Sequence, residues 1–339
     1  EPTYPAWKAG VLPLNYTRVT CIIISIFLSL STHLFEFFHF LSFETRFFLL
    51  YLYYYWNIRN ERDALFRNNI QIGETMYINE QYHNLPLLET EEYQFIGRDG
   101  QLHHEQEEVL NEHLLDVYVN DRLTMKLICL PQHLSELVLG RLLTEHIIQT
   151  VDDVEQIYIC EFGKRAKVYL KNTEEHTDSE PFVEVTPSCC TGNHILNDYF
   201  VSGYEPKPLT PIHWEPEWIF HMADQFASGM PLHSVTFATH SCFLAREDKI
   251  LFSCEDIGRH NALDKAIGYA LRNNIDLHQC MVYSSGRIPT DMAMKAIYAG
   301  IPVLSSKASP TAEAIMLAKE YHLTLICAAR KDRMKVFAD

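Results

Sequence analysis

The sequence predicts an α/β protein in which a largely parallel sheet is sandwiched by helices and is preceded by a smaller α+β portion. Three observations lead there. From about residue 240 onward, apolar runs of strand length alternate with amphipathic helical stretches, the pattern of crossover units. Upstream, two strand-like segments flank Asn120-Asp121, a plausible hairpin turn. A proline-rich stretch at 205–216 lies between the two regions.

Taken in order, residues 57–110 are polar and mixed, without a clear periodic signal. Leu114–Asn120 and Leu123–Cys129 read as strands, and Pro131 reads as the opening of a helix, where its missing N–H costs nothing. Leu134, Leu137, Val138, Arg141, Leu142 and Glu145 give that helix one mainly apolar face. Strands follow at Val154–Cys160 and Ala166–Leu170. Thr186–Asn193, TPSCCTGN, consists of turn formers and reads as an exposed loop. Beyond the linker come a helix at Glu215–Ser228 and a hairpin of Ser241–Ala245 and Lys249–Cys254 turning at Glu247-Asp248. A helix at Arg259–Asn273 buries Ala262, Leu263, Ala266, Ile267, Ala270 and Leu271. Then strands at Cys280–Ser284, Pro302–Ser305 and Leu323–Ala329 alternate with helices at Thr290–Ala299 and Pro310–Tyr321.

Residues 21–56 stand apart. They hold eight of the 19 phenylalanines and only three charged residues, yet His33, Glu36, Glu44 and Arg46 break up the apolar run. A spanning helix wants about 20 apolar residues. The stretch is therefore set aside as an anomalous extension, read from upstream of the natural start, with a peripheral anchor as the alternative. The expected organisation is this extension at 1–60, a small α+β portion at 61–180, a loop region at 181–204 and an α/β domain at 205–339.

A formal charge of −16 over 339 residues argues against a nucleic-acid backbone as partner, which needs a basic face. Nine cysteines occur without framework spacing, and six of them lie in or beside apolar runs, as reduced core thiols do. A cytoplasmic protein is expected, with no membrane partner.

Four constellations could carry chemistry. Cys189-Cys190 sits among Gly, Pro, Ser and Thr, so its thiols are reachable and could attack a persulfide if partly ionised. The alternative is a pair of incidental surface cysteines. A zinc site is not expected, since no CxxC partner is present. Glu255–Lys265, EDIGRHNALDK, packs Arg259, His260 and Asp264 around a strand-to-helix turn, the place where open α/β sheets form ligand crevices. Ser284–Thr290, SSGRIPT, repeats the arrangement with Ser285, Gly286 and Arg287. Ala328–Lys335, AARKDRMK, puts four cations after the last strand in an otherwise acidic chain. A phosphate pocket explains that cluster; a solvated face is the plainer reading.

EDIGRHNALDK, SSGRIPTDM, SPTAEAIMLA and LTLICAARKDRMKVF closely resemble the FdhD/NarQ family of formate dehydrogenase accessory sulfurtransferases. Thr236–Leu244 resembles that family's TGGTHAAAL-type segment, and the resemblance covers roughly residues 110–337. It implies a three-layer αβα sandwich similar to cytidine deaminases. It also implies a homodimer that accepts sulfur from a cysteine desulfurase as a persulfide. The sulfur would pass to the molybdenum bis(molybdopterin guanine dinucleotide) cofactor of formate dehydrogenase, with GDP as a fragment ligand.

By the same resemblance Cys189 is the carrier and Cys190 a second thiol, with Gly192 where the family has its second loop cysteine. The cofactor stretch falls on Ala328, Ala329, Arg330, Lys331, Asp332 and Arg333. Arg259, His260, Asp264, Ser285, Gly286, Arg287, Thr239 and His240 are secondary candidates, and Phe237-Ala238 replace the family's Gly-Gly. Nucleobase deamination is excluded because the zinc motif it requires is missing. A non-catalytic chaperone for the cofactor or the dehydrogenase is the competing reading.

Overall fold

The computed structural model describes residues 76–171, 185–186 and 206–339. The extension at 1–60 and the loop carrying Cys189, Cys190 and Gly192 lie outside the described residues. Residues 74–339 group as one compact unit.

The first sheet runs in the order β1-β6-β7-β4-β5-β8, with β1 Tyr77–Glu80, β4 His113–Val119, β5 Arg122–Cys129, β6 Val154–Ile159, β7 Arg165–Leu170 and β8 Val185–Thr186. The β4–β5 turn has positive φ at both Asn120 (48°) and Asp121 (62°), a conformation their short polar side chains tolerate. Helix α1 is Leu134–Thr144, starting later than Pro131 because the chain bends through 131–133 and His133 adopts a left-handed conformation (φ 54°, ψ 45°). Two strands in the region read as featureless, β2 Leu88–Ile96 and β3 Leu102–Leu110, make a separate antiparallel hairpin. Their side chains are nearly all exposed, with Glu91 directly opposite Glu107, so no apolar alternation betrays them.

The second sheet follows helices α2 Pro216–Ala227 and α3 Pro231–Thr236. Its elements are β9 His240–Arg246, β10 Lys249–Asp256, α4 Arg259–Arg272, β11 Met281–Ser284, α5 Thr290–Tyr298, β12 Val303–Ser306, α6 Ala312–Glu320, β13 Thr324–Arg330 and β14 Arg333–Ala338. The strand order is β10-β9-β11-β12-β13-β14. Only β11, β12 and β13 are mutually parallel. The expected largely parallel sheet is thus corrected to a mixed one, because the tight turns at Glu247-Asp248 and Lys331-Asp332 can join only antiparallel neighbours.

Alternating strand residues feed two cores. Phe243, Ala245, Met281, Tyr283, Val303 and Ile326 pack with Ile219, Met222, Ala223 and Phe226 of α2. Cys242, Leu244, Val282, Leu304, Leu325 and Cys327 face α4, α5 and α6 in a core that continues through α1 into the first sheet. Helices therefore cover both faces of the second sheet.

The junction between α1 and α4 is set by two glycines. A Cβ on Gly140 would lie 1.9 Å from the Asp264 carbonyl oxygen, and one on Gly268 would lie 1.8 Å from that of Glu136. Backbone meets backbone there, and no side chain fits between.

Buried charge ties the same junction. Lys265 pairs with Asp256 at 2.6 Å and donates to the carbonyls of Leu130 and Glu255. Asp256 also accepts from the N–H groups of Leu130 and Gly258, and Asn261 Nδ2 donates to Asp256 and to the Ile128 carbonyl. Lys295 pairs with Asp264 at 2.6 Å beside Thr144 and Arg141. Among the described residues no helix is long and apolar enough to cross a membrane.

Candidate functional site

The parallel strands β11, β12 and β13 end at one edge of the second sheet, and the start of β9 and end of β10 lie there too, as the Asp256–His240 and Ser284–Cys242 pairings require. The crevice of an open α/β sheet forms outside such strand ends. Almost every candidate from the second sheet arrives at this edge.

Ser285 is held by its N–H on the Ser241 carbonyl (3.0 Å) and by the Ser241 N–H on its Oγ (2.9 Å), with His240 Nδ1 3.4 Å from the same Oγ. Gly286 is required by proximity: a Cβ would lie 2.9 Å from Cβ and Cδ of Arg259. The Gly286 carbonyl accepts from Ser306 Oγ at 2.5 Å, which locks the two strand-end loops together. Ile288 continues the pairing through an isolated bridge to Pro310.

Burial lowers the His240 pKa, and the neighbouring charges of Arg259, His233 and His260 push it further down. Burial likewise lowers that of His260, against the opposing pull of Asp291, whose Oδ2 lies 2.6 Å from His260 Nε2. Burial alone would raise the Asp291 carboxyl, but the His260 hydrogen bond and charge outweigh it and hold it below the usual range. Burial thus disfavours the charged form of both imidazoles at this edge, with Asp291 opposing it at His260.

Arg287 and Arg330–Arg333 are exposed at this edge. Arg330 and Arg333 pair across the β13–β14 turn, after a bulge in which Ala328 is left-handed (φ 51°) and donates its N–H to the Ala308 carbonyl at 2.8 Å. Ala329 is buried, and its carbonyl accepts from Tyr283 Oη at 3.1 Å. Thr239 is committed to Glu255, whose carboxylate also receives the N–H groups of Leu232 and His233.

One secondary candidate is corrected. Asp264 has no exposed surface and both of its oxygens face Lys295, so it belongs to the helix junction and no ligand reaches it. Conversely, Lys307 joins the edge unforeseen: it follows Ser306, its N–H meets the Ser284 carbonyl, and its ammonium lies 4.6 Å above the Phe226 ring. A signal was available, since Ser305-Ser306-Lys307-Ala308-Ser309-Pro310-Thr311 repeats the spacing of SSGRIPT with a cation beside the Gly286 position.

An open concavity of about 530 Å³ lies at the opposite edge, lined by His221, Arg246, Glu247, Asp248 and Lys249 around the β9–β10 turn. It gathers as many acids as fixed bases, and the strand-end edge, with its converging backbone loops and cations, is the better anion site. Among the described residues no group of three or more His, Cys, Asp or Glu is placed to hold a metal ion.

Three comparisons bear on the fold and site. The family model described as FdhD/NarQ family matches residues 110–339. The chain is 30% identical over 233 residues to a protein of Listeria innocua named sulfur carrier protein FdhD, covering 68% of this chain and 89% of that one. A Bacillus subtilis protein of the same name is 29% identical over 239 residues, covering 70% and 91%. The crystal structure of a protein from Desulfotalea psychrophila, described as a formate dehydrogenase accessory protein, superposes with a TM-score of 0.63 at 26% identity, covering 75% of this chain and 98% of that one. The chain belongs to the FdhD/NarQ family.

Proposed function

We propose that the protein is a sulfur carrier serving formate dehydrogenase. It takes sulfur from a cysteine desulfurase as a persulfide on Cys189 and passes it to its substrate, the molybdenum bis(molybdopterin guanine dinucleotide) cofactor. The observation that carries this reading is family membership along most of the chain, shared with relatives named as sulfur carriers. In the same reading the protein acts as a cytoplasmic homodimer.

The thiol inventory supports it. Of the six described thiols Cys160 is half-buried, while Cys129, Cys242, Cys254, Cys280 and Cys327 are buried, and burial raises the pKa values of these five, to about 12 at Cys254 and Cys327. Such thiols are poor nucleophiles, because attack requires the thiolate. The loop thiols Cys189 and Cys190 carry no comparable apolar surroundings in sequence. In the transfer, a Cys189 thiolate attacks the outer sulfur of the donor persulfide. A new S–S bond forms, the donor S–S bond breaks, and the donor cysteine leaves as thiolate, with no net oxidation.

The substrate's diphosphates are anionic, and the strand-end edge concentrates Arg287, Lys307, Arg330, Lys331 and Arg333 in a chain of charge −16. Planar guanidinium groups suit phosphate oxygens bidentately.

Incubation with a cysteine desulfurase and cysteine, followed by intact mass measurement, tests the proposal. Wild type and Cys190→Ala gain the mass of one sulfur atom, and Cys189→Ala does not. The reverse pattern moves the carrier to Cys190. Labelling of neither thiol favours the chaperone reading, to which Gly192 at the second loop position already lends weight.

A further inference from the structure

We propose that Phe237 is a stacking platform for the nucleotide's base at the strand-end edge, an inference that rests on the cofactor reading above and assigns its base subsite. The residue is 77% exposed. Its backbone is left-handed, φ 54° and ψ 13°, where α3 ends and the Phe237 N–H meets the His233 carbonyl at 2.9 Å. Helices that end this way usually place glycine there, because a side chain in this conformation is strained. The segment this stretch resembles carries glycine. Here a large apolar side chain accepts the strain without being buried, a combination that clusters at ligand sites.

A relay of rings links Phe237 to the nearest of the edge's cations. Its centroid lies 5.7 Å from that of His233, which lies 5.7 Å from Phe226, and the Lys307 ammonium sits over Phe226 at 4.6 Å. Two residues on, Thr239 is fixed by Glu255, and His240 then touches Ser285. Base faces stack on exposed aromatic rings with little regard to sequence, while flanking cations hold the phosphates. Phe237 supplies the first element, and Lys307, at the other end of the ring relay, supplies the second.

The test is titration calorimetry on the full chain with GDP and with inorganic pyrophosphate, which lacks the base. Phe237→Gly removes the ring and relieves the backbone together. Its GDP affinity falls roughly five- to a hundredfold, the range for removing one stacked aromatic. Its pyrophosphate affinity is unchanged, and its Tm does not fall, since glycine suits the left-handed position. Phe237→Trp retains GDP. Equal GDP binding by wild type and Phe237→Gly overturns this inference alone. Joint loss of GDP and pyrophosphate with a lowered Tm marks Phe237 as structural and also overturns it. Wild type that fails to bind GDP overturns the cofactor reading, and this inference with it.

Discussion

Gly268→Ala should destabilise the protein although alanine is the better helix former. The new Cβ would lie 1.8 Å from the Glu136 carbonyl oxygen, against a floor of 3.0 Å for real contacts, so α1 and α4 must part by roughly 1.2 Å. Helix propensity returns about 1 kcal/mol. Overpacking of a buried contact costs about 1–3 kcal/mol. The opening also stretches bonds across the junction, among them Thr144 to Asp264 at 3.0 Å and Arg141 to Asp264 at 3.5 Å. Losing the former costs a further ~1.5–3 kcal/mol because its acceptor is charged. The net expectation is a loss of about 1.5–5 kcal/mol, which corresponds to a Tm drop of roughly 3–20 °C for a domain of this size.

The mirror change, Gly140→Ala, meets the Asp264 carbonyl at 1.9 Å and should behave alike. Once one alanine has opened the crossing, the second finds room. The double variant should therefore lose less than the sum of the singles, by at least ~0.5 kcal/mol. Urea unfolding of the four proteins, fitted with a common m-value, measures all of this. A single-variant loss under ~0.5 kcal/mol, or strict additivity, would refute the backbone-to-backbone crossing.

Two further outcomes follow from the buried charges. Lys265→Met leaves the Asp256 carboxylate uncompensated and should cost ~3–5 kcal/mol; adding Asp256→Leu should not restore stability, because the N–H groups of Leu130 and Gly258 and the amide of Asn261 then lose their acceptor. Full recovery in the double variant would contradict the network. For pH, the folded values of His240 and His260 lie below 6.5, so the folded state resists their protonation. Their contribution is complete above pH 6.5 and is lost as pH falls through the depressed values, with Asp291 adding a second loss below 3.8. Tm should decline on acidification from pH 6.5, and His240→Gln should flatten that decline; a slope unaltered by the substitution would show His240 to titrate normally.

The parts legible in the sequence were those with a strong apolar rhythm. Met281–Ser284 and Val303–Ser306 are buried on both faces and read from the apolar runs Met281–Tyr283 and Ile301–Leu304, and α4 shows its alanine and leucine face. The β2–β3 hairpin gave no such rhythm because it buries almost nothing. β14 was hidden for a different reason: Arg333 and Lys335 lie on an exposed edge strand, so a charge run that reads as a solvated tail is a paired strand. Asp264 was misassigned because a single sequence shows that a helix carries charge but not which neighbouring helix faces it. The edge itself was legible from strand–Ser-Ser–helix spacing, and its sharpest departure, Phe237 for glycine, was visible only as an anomaly until its exposure was known.

The long EDIGRHNALDK match therefore speaks to two different things. Asn261, Lys265, Gly268 and Arg272 recur at helical spacing and form the stripe of α4 that meets the first sheet and α1. Asn261 reaches the Ile128 carbonyl, Lys265 reaches that of Leu130, Gly268 abuts Glu136, and Arg272 pairs with Glu136 at 2.7 Å. Asn261 and Lys265 are polar because the stripe crosses strand ends whose carbonyls need donors once buried, and Arg272 answers the carboxylates of Glu80 and Glu136. Their presence identifies the junction between the two sheets rather than a reaction. Arg259 and His260, in the first turn of α4, reach the edge where Gly286 and Asp291 meet them. A signature dominated by such contacts establishes family membership firmly, since the whole fold depends on it, and says little about chemistry. In the proposed function, the chemistry belongs instead to exposed positions where cations gather, Arg330–Arg333, Lys307 and Phe237, and to the thiol of Cys189.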